Sequence, residues 1–169
     1  MVKNNLWHRH FGIYGVCFNE YNELLVVKKN DGPYKGRYDL PGGSQKPDES
    51  LIETLHREFM EETGMKIQVI NNLGCFDYLV NSPYNGCKYT QHIAQYYSVK
   101  IVSESVEIVS KYITNCNEIE ENDSNGYVWV KLDLLNVENS SPLVIDIINF
   151  KKNNFDFAIK RYMDWNSNI

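Results

Sequence analysis

Between Gly43 and Met65 the chain reads GSQKPDESLIETLHREFMEETGM, and its carboxylates recur at spacings that a helix gathers onto one face. Ser50 followed three residues later by Glu53 is a capping box, which predicts a helix starting at Ser50. Gly64 predicts its stop, because glycine tolerates the left-handed conformation that ends helices. On that helix Leu51, Leu55, Glu58 and Glu62 follow at spacings of four, three and four, a single row flanked by Ile52 and Phe59. The row begins as core-facing leucine and ends as carboxylate, and Glu61 sets a third carboxylate beside Glu58 and Glu62. Carboxylates converging at the edge of an apolar stripe repel one another and lose solvation, so they stay ionised comfortably only with a cation between them. Hard oxygen ligands favour Mg²⁺ or Mn²⁺ over zinc, and no Cys/His set competes for the role. Taken alone, E-x-x-E-E on a helix also reads as a solvated acidic face. Arg57 lies four residues after Glu53 and four before Glu61 and can pair with either along the helix.

The wider pattern is more specific. Gly43, Glu49, Arg57-Glu58, Phe59, Glu61-Glu62, Gly64 and Met65 fit G-x5-E-x7-R-E-U-x-E-E-x-G-U, with U apolar, and LPGG at 40–43 leads into it. The stretch resembles the Nudix box, the signature of hydrolases that cleave a diphosphate linked to another moiety. The resemblance implies a mixed α/β fold in which a mixed β-sheet lies between helices and the box forms strand, loop and helix. It implies that Arg57 holds Glu49 and orients the catalytic carboxylates Glu58 and Glu61. It further implies that the Gly42 carbonyl joins Glu58, Glu61 and Glu62 as a metal ligand, although Gly42 and Gly43 also read as a plain tight turn. Many family members add an acid from a loop before a late strand. Glu118, Glu120, Glu121 and Asp123 lie in such a loop here, and Glu121 is the choice among them.

The implied reaction is Mg²⁺-dependent hydrolysis, with Mn²⁺ as the alternative ion, of a phosphoanhydride in a nucleoside diphosphate linked to another moiety. Water attacks phosphorus, and either Glu61 or the loop acid accepts the proton. Two other readings stand beside it. One is a nucleotide-sensing domain without turnover, against which the intact glutamate set argues. The other is a diphosphate-substrate isomerase of the same fold, which would need a further catalytic cysteine and glutamate in the cleft. Cys75 and Cys87 are cysteines of the right type, but their placement gives no positive support.

The elements that must position this helix are legible as alternating runs. HFGIYGVCFN (10–19) and ELLVVKK (23–29), separated by Glu20-Tyr21-Asn22, predict strand, turn and strand. NDGPYKGRY (30–38) is turn-rich and leads to a short strand before Pro41. After the helix, 66–80 reads as extended with an interruption near Asn71-Asn72. A loop carrying Asn85-Gly86 precedes a long strand at 89–102, and 127–132 is a final strand. The run 106–113 is a less certain strand. Pro142 to Trp165 carries Leu143, Ile147, Phe150 and Phe157 among lysines, which predicts a C-terminal helical segment at about 142–165 with a weak point at Asn153-Asn154. With no repeat or linker, the expectation is a single domain over 1–169.

Composition excludes several partners. The chain of 169 residues has 17 basic and 22 acidic side chains and a net charge of −5, so no basic field recruits nucleic acid or an anionic membrane. A small-molecule nucleotide-type substrate is the expected partner, for a monomer or homodimer. The N-terminus has no apolar leader, no run approaches the length of a membrane span, and the cysteines at 17, 75, 87 and 116 lack C-x-x-C spacing. These features lead to the expectation of a cytoplasmic protein. Aromatic residues make up 13% of the chain and suit a cleft that stacks an organic group, or an ordinary β-rich core.

Other residues carry weaker expectations. His8 and His10 flank Arg9 and read as a solvated terminus more readily than as ligand contacts. His92 reads as a satisfied sheet histidine before a cleft residue, and Lys28, Lys29 and Lys35 as solvated loop lysines. Asp39 is balanced between a cap and a base contact. Thr54-Leu55 stand where the family commonly has small alanines, a departure expected to touch packing alone. The tryptophan- and proline-rich array of dinucleotide-cofactor hydrolases is absent after Gly64, and Pro83, 19 residues beyond it, is weak support for ADP-ribose.

Overall fold

The computed structural model describes residues 6–81, 83–104, 124–153 and 160–162. Among these residues are eight strands and two α-helices in the order β1 (Trp7–Val16), β2 (Glu23–Lys29), β3 (Tyr38–Asp39), β4 (Gly42–Ser44), α1 (Leu51–Thr63), β5 (Met65–Val80), β6 (Tyr89–Glu104), β7 (Ser124–Lys131), α2 (Pro142–Asn153) and β8 (Lys160–Tyr162). One sheet has the strand order β4-β1-β6-β5-β8 and the other β3-β2-β7. The larger sheet is mixed: β1 runs parallel to β6 and β5 parallel to β8, whereas β4 and β5 are antiparallel to their partners β1 and β6.

Two apolar clusters lie on opposite sides of the strands, as the two-residue period of a strand requires. Tyr14, Leu24, Val26 and Tyr96 join the cluster under α2, with Leu143, Val144 and Ile147. Their chain neighbours Ile13, Leu25 and Tyr97 join the cluster under α1, with Leu55 and Phe59. Leu24, Leu25, Val26 and Val27 are all fully buried, which explains why that run is continuous rather than alternating. The sheets therefore lie between the helices, as expected of the family fold.

The strand, turn and strand expected over 10–29 are present as β1 and β2, which belong to different sheets. The chain crosses from one sheet to the other, and the Phe18–Leu24 bridge, a bond from Leu25 N–H to the Cys17 carbonyl and one from Asn19 N–H to the Glu23 carbonyl join the strand ends. The interruption near Asn71-Asn72 is a pair of register shifts inside one strand, between Val69 and Asn71 and between Asn72 and Gly74, that bend β5 without ending it. Of the segment expected to be helical over 142–165, Pro142–Asn153 is helix, Lys160–Tyr162 is a strand beside β5, and 154–159 and 163–165 lie outside the described residues. The run 106–113 lies outside the described residues.

Candidate active site

α1 begins and ends as its sequence dictates. Ser50 Oγ accepts from the Glu53 N–H, and Glu53 Oε2 accepts from the Ser50 N–H at 2.8 Å, so both halves of the capping box are made. Gly64 is left-handed at φ 71°, and its N–H closes on the Met60 carbonyl. Between these caps the helix buries Leu55, Phe59 and Glu62, and leaves Glu58 and Glu61 along the rim of a cavity of about 820 Å³.

Arg57 organises that rim. Its Nε donates to Glu49 Oε1 at 2.5 Å and its Nη2 to Glu49 Oε2 at 2.8 Å, a two-pronged grip that lysine could not make. Nη1 reaches Glu58 Oε1 at 2.6 Å and Glu61 Oε2 at 3.1 Å, and Nη2 also reaches the Ser44 carbonyl. The guanidinium beside Glu49 holds that carboxyl down at about 2. Burial pushes Glu58 the other way, above the usual carboxylate range, with Arg57 opposing the rise and Glu61 adding to it. Thr54, fully buried, sets its hydroxyl 3.0 Å from both Glu49 Oε2 and the Ser50 carbonyl. The departure at Thr54 thus touches the site's hydrogen bonding as well as its packing.

Glu62 is 2% exposed and bound on both oxygens: Lys29 Nζ lies 3.3 Å from Oε1, and the Gly42 N–H donates to Oε2 at 2.9 Å. Gly42 has φ 147°, and a Cβ there would run into the Ile13 carbonyl. A Cβ on Gly43 would lie 2.7 Å from the Glu58 carboxyl carbon. The two glycines therefore let the sheet backbone come against both carboxylates.

The same cavity is also lined by aromatic and imidazole side chains. His8, His10 and Tyr14 come from β1, Thr90 and His92 from β6, and Tyr34 and Tyr84 from the flanking loops. His92, 2% exposed, bridges two hydroxyls: Tyr14 OH at 2.9 Å from Nε2 and Tyr34 OH at 2.9 Å from Nδ1. Tyr14 OH lies a further 3.2 Å from His10 Nε2. Burial holds His92 well below its ordinary value, with His10 and Lys29 pushing the same way, so its ring is neutral at pH 7. Gly12 makes this reach feasible, since a Cβ there would sit 2.5 Å from the Tyr14 hydroxyl.

Gly42, Arg57, Glu58, Glu61 and Glu62 thus face one cavity, with Glu49 behind them in Arg57's grip. Glu121 lies outside the described residues. His8 and His10, expected as a solvated terminus, belong to β1 and line the cavity, and His92 is at once a satisfied sheet histidine and part of the cavity wall. Lys28 and Lys35 are exposed as expected, whereas Lys29 is half-buried against Glu62. Asp39 caps and also lines the cavity: its Oδ1 accepts from the Leu40 N–H at 2.9 Å and from Ser141 Oγ at 2.6 Å, tying β3 to the start of α2. Cys75 and Cys87 are not among the lining residues. Tyr14 and Tyr34 were missed, although the period-two series His8, His10, Gly12, Tyr14 marks one face of β1.

The donor set suits a hard divalent ion, because buried and crowded carboxylates such as Glu58 gain from a cation. Among the described residues no three His, Cys, Asp or Glu side chains stand gathered as a metal cage. Arg57 and Lys29 supply the positive charge to these glutamates instead.

A Nudix hydrolase from Nitrosomonas europaea has a similar structure, with a TM-score of 0.64 over 92% of this chain and 93% of that one; at 20% identity the likeness is one of fold. The NUDIX domain family model matches residues 8–148, and the chain belongs to that family. Nudix hydrolases generally use divalent metals. Among curated relatives, an ADP-ribose pyrophosphatase of Methanocaldococcus jannaschii is 38% identical over 55 residues, covering 32% of each chain. An 8-oxo-dGDP phosphatase of Danio rerio is 40% identical over 58 residues, covering 34% of this chain and 18% of the relative. The chain thus spans less than half the length of these relatives.

Proposed function

We propose that this protein hydrolyses a phosphoanhydride in a nucleoside diphosphate linked to another moiety, by water attack at phosphorus. One observation carries the reading: the Arg57-organised carboxylates and the aromatic, imidazole-bearing wall face a single cavity. The first suits a metal-chelated diphosphate and the second a planar organic group. The names of the relatives, an ADP-ribose pyrophosphatase and an 8-oxo-dGDP phosphatase, support a nucleotide-type small molecule. The net charge of −5 favours such a substrate over nucleic acid. Among the described residues no helix is long and apolar enough to cross a membrane. A cytoplasmic monomer or homodimer is the setting we propose.

Glu58, Glu61 and Glu62, with the Gly42 carbonyl and Glu121, are the groups that would hold Mg²⁺, with Mn²⁺ as its substitute. When bound, the ion supplies charge to offset the diphosphate oxygens and lowers the pKa of a water. Arg57 and Glu49 act behind this set, fixing where Glu58 and Glu61 point. Glu61, whose side chain is 49% exposed, is the described carboxylate best placed to take a proton from water, and Glu121 is the alternative base.

The test is a panel of nucleoside triphosphates, nucleotide sugars, ADP-ribose and dinucleoside polyphosphates, with Mg²⁺ and ¹⁸O-labelled water. Label is expected on a phosphate product, and turnover should vanish with EDTA. Label found on a sugar or base carbon would sink the mechanism. Tight nucleotide binding without any product would move the reading to a sensor.

A further inference from the structure

Among the described residues three tyrosines line the cavity, and two of them are built into its wall. Tyr14 and Tyr34 are 4% and 3% exposed, with their hydroxyls on His92. Tyr84 is different. It is half-buried in the loop ahead of β6, and the hydrolytic scheme makes no use of it. Among the described residues its ring contact is His8, with centroids 5.0 Å apart and planes inclined at 63°. His8 thus braces Tyr84 at an angle, and no described ring lies flat against it.

The local sequence fixes where this ring stands. Tyr84 to Cys87 form a tight turn in which Asn85 and Gly86 have φ 49° and 75°, the pair of left-handed residues that an Asn-Gly turn supplies. Tyr84 N–H donates to the Cys87 carbonyl at 3.1 Å, and Cys87 N–H returns a bond of 2.9 Å to the Tyr84 carbonyl. Behind the turn, the Lys88 and Tyr89 N–H groups both donate to the Leu6 carbonyl, tying the loop to the start of β1. His8 follows two residues after Leu6, beside Thr90 in the β1–β6 ladder. Tyr84 is therefore held in advance, with little left to order when a ligand arrives.

This ring and the carboxylates stand at separate ends of the site. Gly42, whose N–H holds Glu62, pairs with Tyr14 on β1. His8 precedes Tyr14 by six residues, which is about 20 Å of strand at about 3.3 Å per residue. The cationic residues that line the cavity are anchored at the carboxylate end. Lys29 meets Glu62, Arg57 grips Glu49, and the Lys46 N–H also donates to Glu49. One end thus suits a polyanion and the other a flat ring.

We infer that Tyr84, braced by His8, is the platform on which the nucleobase of the substrate stacks while its diphosphate lies against the carboxylates. The inference rests on the nucleotide reading given above and deepens it, by assigning the base and the diphosphate to opposite ends of the cavity. A ligand that fills both ends must be long, with its ring and its charge far apart. A nucleoside joined to a diphosphate has that form. Stacking accepts any base, because every base has a π-face, so the platform favours nucleotides over ring-less phosphates without choosing among bases.

AMP and ribose 5-phosphate are the probes, since they differ by the adenine ring. Calorimetric titration with Mg²⁺ present should show the wild-type protein binding AMP more tightly by about 10-fold or more, within the range that stacking of one base supplies. Tyr84→Ala should weaken AMP by about 10-fold and leave ribose 5-phosphate unchanged. Tyr84→Phe keeps the ring and loses the hydroxyl, and should bind AMP as the wild type does. Equal binding of the two probes by the wild type would overturn the platform. So would an unchanged AMP affinity in Tyr84→Ala, or a loss in Tyr84→Phe as large as that in Tyr84→Ala.

A second measurement needs no variant. In the wild-type protein saturated with AMP, nuclear Overhauser contacts should join the Tyr84 ring protons to adenine H2 or H8. Contacts from adenine to other residues and none to Tyr84 would overturn the platform. Neither measurement depends on turnover, so the hydrolase reading stands or falls separately, on whether products form.

Discussion

The two walls of the cavity are each organised around one nitrogen-rich side chain, and they are built in opposite ways. Arg57 grips Glu49, Glu58 and Glu61, all within eight residues of it, through charge-assisted bonds as short as 2.5 Å. His92 joins two neutral hydroxyls brought from 58 and 78 residues away, with bonds of 2.9 Å. The charged wall depends on helix spacing and a local loop, and a cation that can bind two carboxylate oxygens at once. The neutral wall depends on strand register, burial and a ring that must stay uncharged. The difference teaches that strong local charge can be written into one short segment, whereas a neutral hydrogen-bonded wall needs the sheet to assemble first.

Removing the deepest group of the charged wall should have the largest effect. Glu62→Gln keeps size but loses a buried charge facing Lys29 and the Gly42 N–H. We expect kcat to fall by on the order of 10²-fold or more, the scale seen when one preorganised electrostatic group is lost. Circular dichroism should show the fold intact. Wild-type turnover by this variant at limiting Mg²⁺ would remove Glu62 from the metal assignment.

Arg57→Lys comes next. The variant keeps the charge but cannot hold both Glu49 oxygens while also reaching Glu58 and Glu61. A loss of roughly 10- to 100-fold in kcat is expected, in line with supporting shells of metal sites, with a smaller change in KM. Steady-state kinetics decide it: an unchanged kcat would reduce Arg57 to surface decoration.

The walls should also fail at different pH, and the signs follow from their shifts. Glu49 is held down at about 2 against an ordinary 4.5, so the unfolded chain binds its proton first as pH falls. Its contribution is complete above about 4.5 and is lost as pH drops toward 2. His92 is held well below its ordinary 6.5, so unfolding takes up a proton below that value, and stability declines from about pH 6.5 downward. Chemical denaturation of the metal-free protein across this range should show both limbs. Glu49→Gln should flatten the lower limb alone, and His92→Gln the upper. Loss of both limbs in either variant would mean that the two walls do not titrate independently.

The smallest effect belongs to the helix cap. Ser50→Ala removes the acceptor for the Glu53 N–H and should cost about 1 kcal/mol in urea denaturation. With the Arg57 web intact, kcat should change by less than about twofold, because stability and wall geometry are then separable. A large loss of kcat would show that the cap, and not Arg57, sets the aim of the glutamates.

Much of the charged wall was readable in the chain. The capping box at Ser50, the stop at Gly64 and the row Leu55–Glu58–Glu62 follow from helix period and capping chemistry, and all appear in the structure. The pairing of Arg57 with Glu49 followed from family resemblance, and Thr54's hydroxyl contact with Glu49 was not foreseen. Strand existence was also legible, as in Glu23–Lys29, but strand partners were not. Glu20-Tyr21-Asn22 reads as a turn between two strands, and the chain there changes sheets, because the turn's local geometry is silent about which neighbour each strand will pair with.

The sequence by itself determined the acidic helix edge, its caps and the glycines that let backbone approach the carboxylates. Each is set by residues within a few positions of one another, where spacing is geometry. Only the tertiary structure decided that His10, Tyr14, Tyr34 and His92 form one hydrogen-bonded wall in the same cavity as those carboxylates. That wall exists because β1 lies parallel to β6 in one register, with His10 beside His92, and because burial requires the polar groups of Tyr14, Tyr34 and His92 to find hydrogen-bond partners inside the protein.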